Sequence, residues 1–309
     1  MQQVERHIII DDRFEDVCKK AGLLYNYTLY QLKQPYFEQQ KAIRDEATKL
    51  KQELNTDKLT DEQWKDLRQH INLNVDYIEI NDFIGKCVKN SHADYRNLPA
   101  QTSQQVIKQV YKAWFSFWQS IKSYKKNPKK FLGMPKPPNY KKNKKQNLVV
   151  FTNQQVKLKD GFIHFPKAVC IEPIKTKVTK IDQVRIIPQA TCYVVEVVYT
   201  KEIDDLQLNK ENILSLDIGL NNLLTSIDNV GQRPFIVNGK HIKSYNKFWN
   251  KLLATAKEYV GVGISNRQNN LNHKRNNWMH DKMHQVSRFV INYCIKHNIG
   301  RIIIGKNDG

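Results

Sequence analysis

Long apolar runs are missing from this sequence. No stretch reaches the roughly 18 residues that a membrane span needs, and the opening MQQVERHIII shows no signal-peptide pattern. A membrane partner is set aside on that ground, and the expected location is the cytoplasm. Cysteine is scarce as well: Cys18, Cys87, Cys170, Cys192 and Cys294 are scattered, odd in number and never spaced C-x-x-C. That usage fits reduced thiols rather than a disulfide frame, and it gives no zinc knuckle. Acids are the third shortage. Asp and Glu total 30 against 50 Lys and Arg, a formal charge of +20 at pH 7. Such a field attracts polyanions, of which nucleic acid is the commonest.

What is present reads as several regions. A chain of 309 residues can bury a proper core and divide into domains. Arg6 to Ile10 reads as a short opening strand, and Phe14 to about Leu54 as a helix rich in Lys, Glu and Gln. Thr60 with Gln63 forms a capping-box pattern that starts a second helix, and Thr102 with Gln105 repeats it. Val106, Val110, Trp114, Phe117 and Ile121 then recur at helical spacing, which predicts a packed core face rather than rings for base stacking.

The segment KSYKKNPKKFLGMPKPPNYKKNKKQ differs in kind, since no acid occurs between Asp94 and Asp160. Pro128, Pro135, Pro137 and Pro138 stop helices and favour an extended path. A lone charge run is usually a solvated linker. In a chain this basic, the run instead predicts phosphate contact through Lys125, Lys126, Lys129, Lys130, Lys136, Lys141, Lys142, Lys144 and Lys145. Beyond it the period falls to two: NLVVF, QVKL, FIHF, VRIIP and CYVVEVVY read as strands, and Asp160-Gly161 signals a hairpin. An antiparallel barrel or sandwich is expected there.

From Ile213 the strands ILSLDIG, LLTSID and PFIV follow one another. Next come a helical stretch from Ser244 to about Tyr259, an Asn-, Arg- and His-rich connection, a helix from about Asp281 to Lys296, and the apolar run Ile302 to Ile304. That run reads as a central parallel strand covered on both faces. Three strands, helices and a parallel strand are the order of the ribonuclease H-like fold, in which the fourth strand lies beside the first. Asp217 ends the first strand, in a run whose pattern predicts burial, and Gly219 lets the chain turn closely over it. A carboxylate placed there can hold a divalent metal beside a phosphodiester. An Mg·ATP site of the actin-like kinases and a plain turn aspartate are the competing readings. A kinase would also need a second Gly-rich phosphate turn and an adenosine site, and neither is found.

Several long, ordered blocks carry a resemblance: AGLLYNYTLYQLKQPYF, YRNLPAQTSQQVIKQVYKAWFSFW, KKNPKKFLGMPKPPNYK, LSLDIGLNNLLTS, VNGKHIKSYNKFWNK and MHDKMHQVSRFVINYCIKHNIGRIIIGKNDG. With them the chain resembles the transposon-encoded TnpB (OrfB) family of RNA-guided DNA nucleases, related to the small type V CRISPR effectors. The resemblance implies an α+β multidomain protein. Its wedge-like β-barrel would span 1–12 and 130–205, interrupted by a helical recognition domain at 13–129 with the basic linker. A RuvC domain would span 206–309. It further implies a guide RNA from the transposon end, a double-stranded DNA target and a two-Mg²⁺ centre whose first carboxylate is Asp217.

The family pattern needs three acids, and Gly305, in IIIGKNDG, stands where the pattern usually puts the second; relatives that also carry Gly-Lys-Asn there supply that Glu from further along the domain. The last strand, the third acid and the family's zinc-binding cysteines would lie beyond Gly309, so no zinc is expected here. Asp308 reads as solvated and Asp281 as a helix-start residue. The expectation is a nuclease centre incomplete in this chain, whether a fragment of a longer nuclease or a nuclease-dead, RNA-guided repressor.

Overall fold

The structure, a computed structural model, describes residues 1–70, 79–142, 146–202, 205–260 and 262–305. Lys144, Lys145 and Asp308 lie outside the described residues. The chain is α+β with several sheets and divides into two compact units, Met1–Lys201 and Glu202–Gly309.

The first unit opens with strand β1 (Gln2–Ile9), followed by helices α1 (Glu15–Glu53), α2 (Asp61–His70), α3 (Ile80–Lys89), α4 (Ala93–Arg96) and α5 (Ala100–Lys126). Strands β2 (Val149–Thr152), β3 (Lys157–Lys159), β4 (Phe162–His164), β5 (Ile174–Lys175), β6 (Gln183–Pro188) and β7 (Tyr193–Thr200) complete it. Two antiparallel sheets result, ordered β1-β7-β6-β2 and β3-β4-β5. The opening strand pairs along its whole length with β7, from Gln2 opposite Thr200 to Ile9 opposite Tyr193. The helices are therefore an insertion between two strands of one sheet. Glu5 of β1 reaches the other sheet by accepting from the Thr176 hydroxyl at 2.6 Å.

The hairpin signal holds. Lys159 pairs with Phe162 across a two-residue turn in which Asp160 (φ 51°) and Gly161 (φ 76°) are both left-handed, as a primed turn requires. The Thr60 capping box also forms, with Gln63 N–H on Thr60 Oγ1 at 3.3 Å and Thr60 N–H on Gln63 Oε1 at 2.8 Å. The Thr102 cap does not. Helix α5 starts at Ala100, with Pro99 at its cap position, and leaves Thr102 buried inside the helix, where its hydroxyl bonds the Gln155 amide. With Pro99 at the cap position, the helix begins at Ala100, two residues before Thr102. The stripe of α5 is buried as expected: Val106, Val110, Trp114, Phe117 and Ile121 are all buried, and the first three share a core with Phe14 just before α1, Leu24 of α1 and, in the sheets, Phe151, Val184 and Val195.

The second unit holds β8 (Asn209–Asp217), β9 (Asn222–Asp228), β10 (Ile236–Asn238), α6 (Lys240–Glu258), α7 (Asn266–Lys296) and β11 (Ile299–Ile304). Its sheet order is β10-β9-β8-β11, with β11 parallel to β8. The fourth strand thus lies beside the first, as the sequence order predicts. The cover on both faces that its apolar run predicts is not found among the described residues. Among the described residues β11 is an edge, and Ile303 and Ile304 are 49% and 56% exposed.

The helix boundaries also move. Helix α7 begins at Asn266 under a reciprocal Ser265–Gln268 capping box, so the Asn- and His-rich stretch is helical and Asp281 sits in mid-helix, accepting from Gln285 at 2.8 Å. Packing overrides the poor helix propensity of Asn and His: Trp278 stacks on Tyr245 of α6 at 3.8 Å, and Arg275 bonds Asn246 at 2.9 Å. The small core of this unit is built from Leu214, Leu216, Leu224, Val290, Cys294 and Ile299. No helix among the described residues is long and apolar enough to cross a membrane.

Candidate functional site

Two places carry the predicted residues, one in each unit. In the first unit, Lys125 and Lys126 form the last turn of α5, and Lys129 and Lys130 the single 3₁₀ turn that follows Pro128. All four are exposed, as are Lys136 and Lys142. Phe131 packs edge-on against Tyr124 at 5.7 Å, and beyond it the chain runs without helix or strand through Pro135, Pro137 and Pro138.

The far end of this segment is fastened to α1. Asn26 brackets residue 141, accepting from its N–H at 2.8 Å and donating to its carbonyl at 3.1 Å. The Lys141 ammonium lies 4.6 Å from the Tyr25 ring centre, and Lys33 lies 4.4 Å from that of Tyr140. Burial lowers the pKa of both lysines, because a desolvated ammonium is less favourable than a hydrated one. Lys141 therefore differs from the other lysines placed here: half-buried over Tyr25, it holds the segment in place. The Tyr25, Asn26, Lys33 and Tyr140 clamp went unread in the sequence, where only the interleaving of Lys with Tyr hinted at it.

In the second unit, Asp217 is the last residue of β8. Leu214 and Leu216 point into the core, while Ser215 and Asp217 take the other face. The expectation of a buried carboxylate is corrected: Asp217 is exposed, because the strand ends at it instead of continuing past it. The turn over it does need glycine, since a Cβ on Gly219 would meet the Asn222 carbonyl oxygen at 2.8 Å.

The parallel pairing of β11 with β8 then brings one further residue to this strand end. Gly305 N–H donates to the Leu216 carbonyl at 2.9 Å, and a Cβ built on Gly305 would lie 3.7 Å from Asp217 Oδ1. The position read as that of a further acid does face Asp217, and it carries no side chain. The other carboxylate on this sheet, Asp228, is committed to structure. Burial would raise its pKa, but the Tyr293 hydroxyl at 2.6 Å and the N–H groups of Gln232 and Val230 outweigh that and lower it. Burial and this bond in turn push Tyr293 up to about 12.

Magnesium prefers an octahedron of oxygens and usually needs one or two carboxylates per ion. Among the described residues, no group of three or more His, Cys, Asp or Glu could hold a metal ion. Asp217 with a bare glycine beside it, taken among the described residues alone, does not fit a two-Mg²⁺ centre.

Residues 192–308 match the family model OrfB_IS605, described as a probable transposase. The resemblance to the OrfB family drawn from the sequence is present in that match. No curated protein matches the chain. Among solved structures, a Cas12f1–sgRNA–target DNA complex is similar at 11% identity, over 95% of this chain and 64% of that one, with a TM-score of 0.48. A CRISPR-Cas12f ternary complex is similar at 10% identity, over 95% and 62%, with a TM-score of 0.29. The chain spans less than two thirds of the length of either.

Proposed function

We propose that this chain is an RNA-guided DNA-binding protein of the TnpB (OrfB) kind, in which RNA held by its phosphates directs the protein to duplex DNA. The observation that carries the reading is the parallel β8–β11 pair that sets Gly305 against Asp217, inside the residues that match OrfB_IS605. On this reading the second unit is a ribonuclease H-like, RuvC-type domain and Asp217 marks its reaction centre. On the same reading, 1–12 with 130–205 acts as a wedge and 13–129 as a recognition domain. The exposed lysines from Lys125 to Lys142 grip nucleic-acid backbone without reading sequence. The net charge of +20 supports that assignment.

Phosphodiester hydrolysis by two metals needs acids that the described residues do not bring to Asp217. An endonuclease of this kind and a nuclease-dead, RNA-guided repressor are the two versions that a cleavage assay separates.

The test is a gel-shift and cleavage assay on labelled duplex DNA with co-expressed RNA and Mg²⁺. The expected result is RNA-dependent binding, no cleavage, and unchanged binding by Asp217→Ala. Cleavage that disappears in Asp217→Ala would mean that the centre around Asp217 is complete in this chain. An absence of RNA binding would overturn the whole reading.

A further inference from the structure

Helix α6 carries a row of charge that the function above does not use. Lys243, Lys247 and Lys251 follow one another at four-residue intervals, so they share one face, about 6 Å apart along the axis. With Asn246, Asn250 and Ala254 they line an open groove, and all three lysines are exposed. A solvated helix face normally alternates the two signs of charge. Here Glu258 and Asp281 are the only acids between Asn229 and Asn307. Among the described residues, none of the three lysines has a carboxylate within ion-pair distance. Three ammonium groups at this spacing repel one another, and among the described residues no protein carboxylate neutralises them.

The rest of α6 fixes where the row points. Tyr245 stacks on Trp278, Trp249 is buried and Arg275 bonds Asn246, so one side of the helix is held against α7 and the lysine side is turned outward. One end of the row is tied to the Asp217 loop. Lys243 Nζ donates to Asn221 Oδ1 at 2.7 Å, and Gly239 N–H donates to the Asn221 carbonyl at 2.8 Å. Asn221 lies in the turn that leaves Asp217, so the row starts beside that turn and runs away from it for about 12 Å.

We infer that this face of α6 binds the phosphodiester backbone of a nucleic-acid strand and leads that strand to Asp217. Regularly spaced cations suit the regular charges of such a backbone, and the amides of Asn246 and Asn250 add donors for phosphate oxygens. The inference rests on the reading of this unit as a nucleic-acid-handling domain, and it names the residues that hold the strand there.

The experiment measures the binding of labelled single-stranded DNA, single-stranded RNA and duplex DNA to the full chain over a range of salt. Wild type is compared with Lys247→Gln/Lys251→Gln, which leaves the Lys243–Asn221 bond intact, and with Lys247→Arg/Lys251→Arg. The Gln variant should melt as wild type does, bind at least one of the three probes more weakly, and lose about 0.7 to 0.9 of log–log salt slope per lysine. The Arg variant should bind as wild type does. If wild type binds and the Gln variant keeps both affinity and slope, the inference fails while the nucleic-acid reading stands. If wild type binds none of the three probes, both fail. A Gln variant unchanged toward all three probes but weakened toward poly-glutamate would overturn the inference in favour of an acidic protein partner.

Discussion

Two aspartates on neighbouring strands show how local chemistry sorts one residue type into different tasks. Asp228 accepts from a phenol and two backbone N–H groups and is held ionised by them, so its work is to fasten the β9–β10 turn to α7. Its pKa is lowered on folding. The stability it contributes is therefore full above the unfolded value near ~3.9 and is lost as pH falls through the lower folded value. Asp228→Asn should cost about 1 to 2 kcal/mol at pH 7, and urea titrations should show that difference shrinking below pH ~4. Among the described residues Asp217 has no such set of donors, and it faces a residue without a side chain. Gly305 has room for one, since its Cβ would make only ordinary contacts at 3.7 Å. Gly305→Glu should therefore build a carboxylate pair. Thermal melts should show the variant slightly less stable than wild type in chelator and raised by Mn²⁺ or Mg²⁺, with wild type indifferent to either ion. Equal responses in the two proteins would mean that a side chain at 305 does not reach Asp217.

Elements were legible where a periodic pattern and a local signal agreed. The α5 stripe, the Asp160-Gly161 hairpin and the Thr60 box each rest on chemistry contained within a few residues, and each is found where the sequence puts it. Helix α7 was half missed because its first part consists of Asn, His and Arg, and only tertiary stacking on Tyr245 makes those residues helical. The Ser265–Gln268 box was the available signal. The Thr102 signal failed for the reverse reason: a long-range partner, Gln155, took the hydroxyl. The α5 stripe yields a graded prediction. Trp114→Ala and Phe117→Ala should each cost about 3 to 5 kcal/mol, as buried aromatics do. Phe115→Ala, at a ring that is 59% exposed, should stay within about 0.5 kcal/mol. Denaturant midpoints check all three. Unchanged stability in Trp114→Ala with lowered nucleic-acid affinity would make these rings stacking platforms instead of core.

At the scale of the whole molecule, the sequence could supply the sign and size of the charge but not which lysines remain free to use it. Composition alone treats the basic segment as uniform. The fold divides it, because a docking surface on α1 captures the end near Tyr140 and leaves the Pro128 end in solvent. The same distinction explains why the place of Asp217 at the end of a strand was legible while its exposure was not: strand order is written in the sequence, whereas the end of a strand depends on what packs over it. The division of the lysines can be tested directly. Replacing Lys125, Lys126, Lys129 and Lys130 with Gln should weaken RNA binding and reduce the log–log salt slope by roughly 0.7 to 0.9 for each phosphate those lysines neutralise, with little change in melting temperature. Lys141→Gln should do the opposite. It removes a half-buried cation from the Tyr25 face, worth about 0.5 to 2 kcal/mol, so stability should fall while the salt slope stays near that of wild type. The reverse outcome, with Lys141 controlling the slope and the four exposed lysines silent, would place the RNA along α1 and make the Pro128 turn a plain linker.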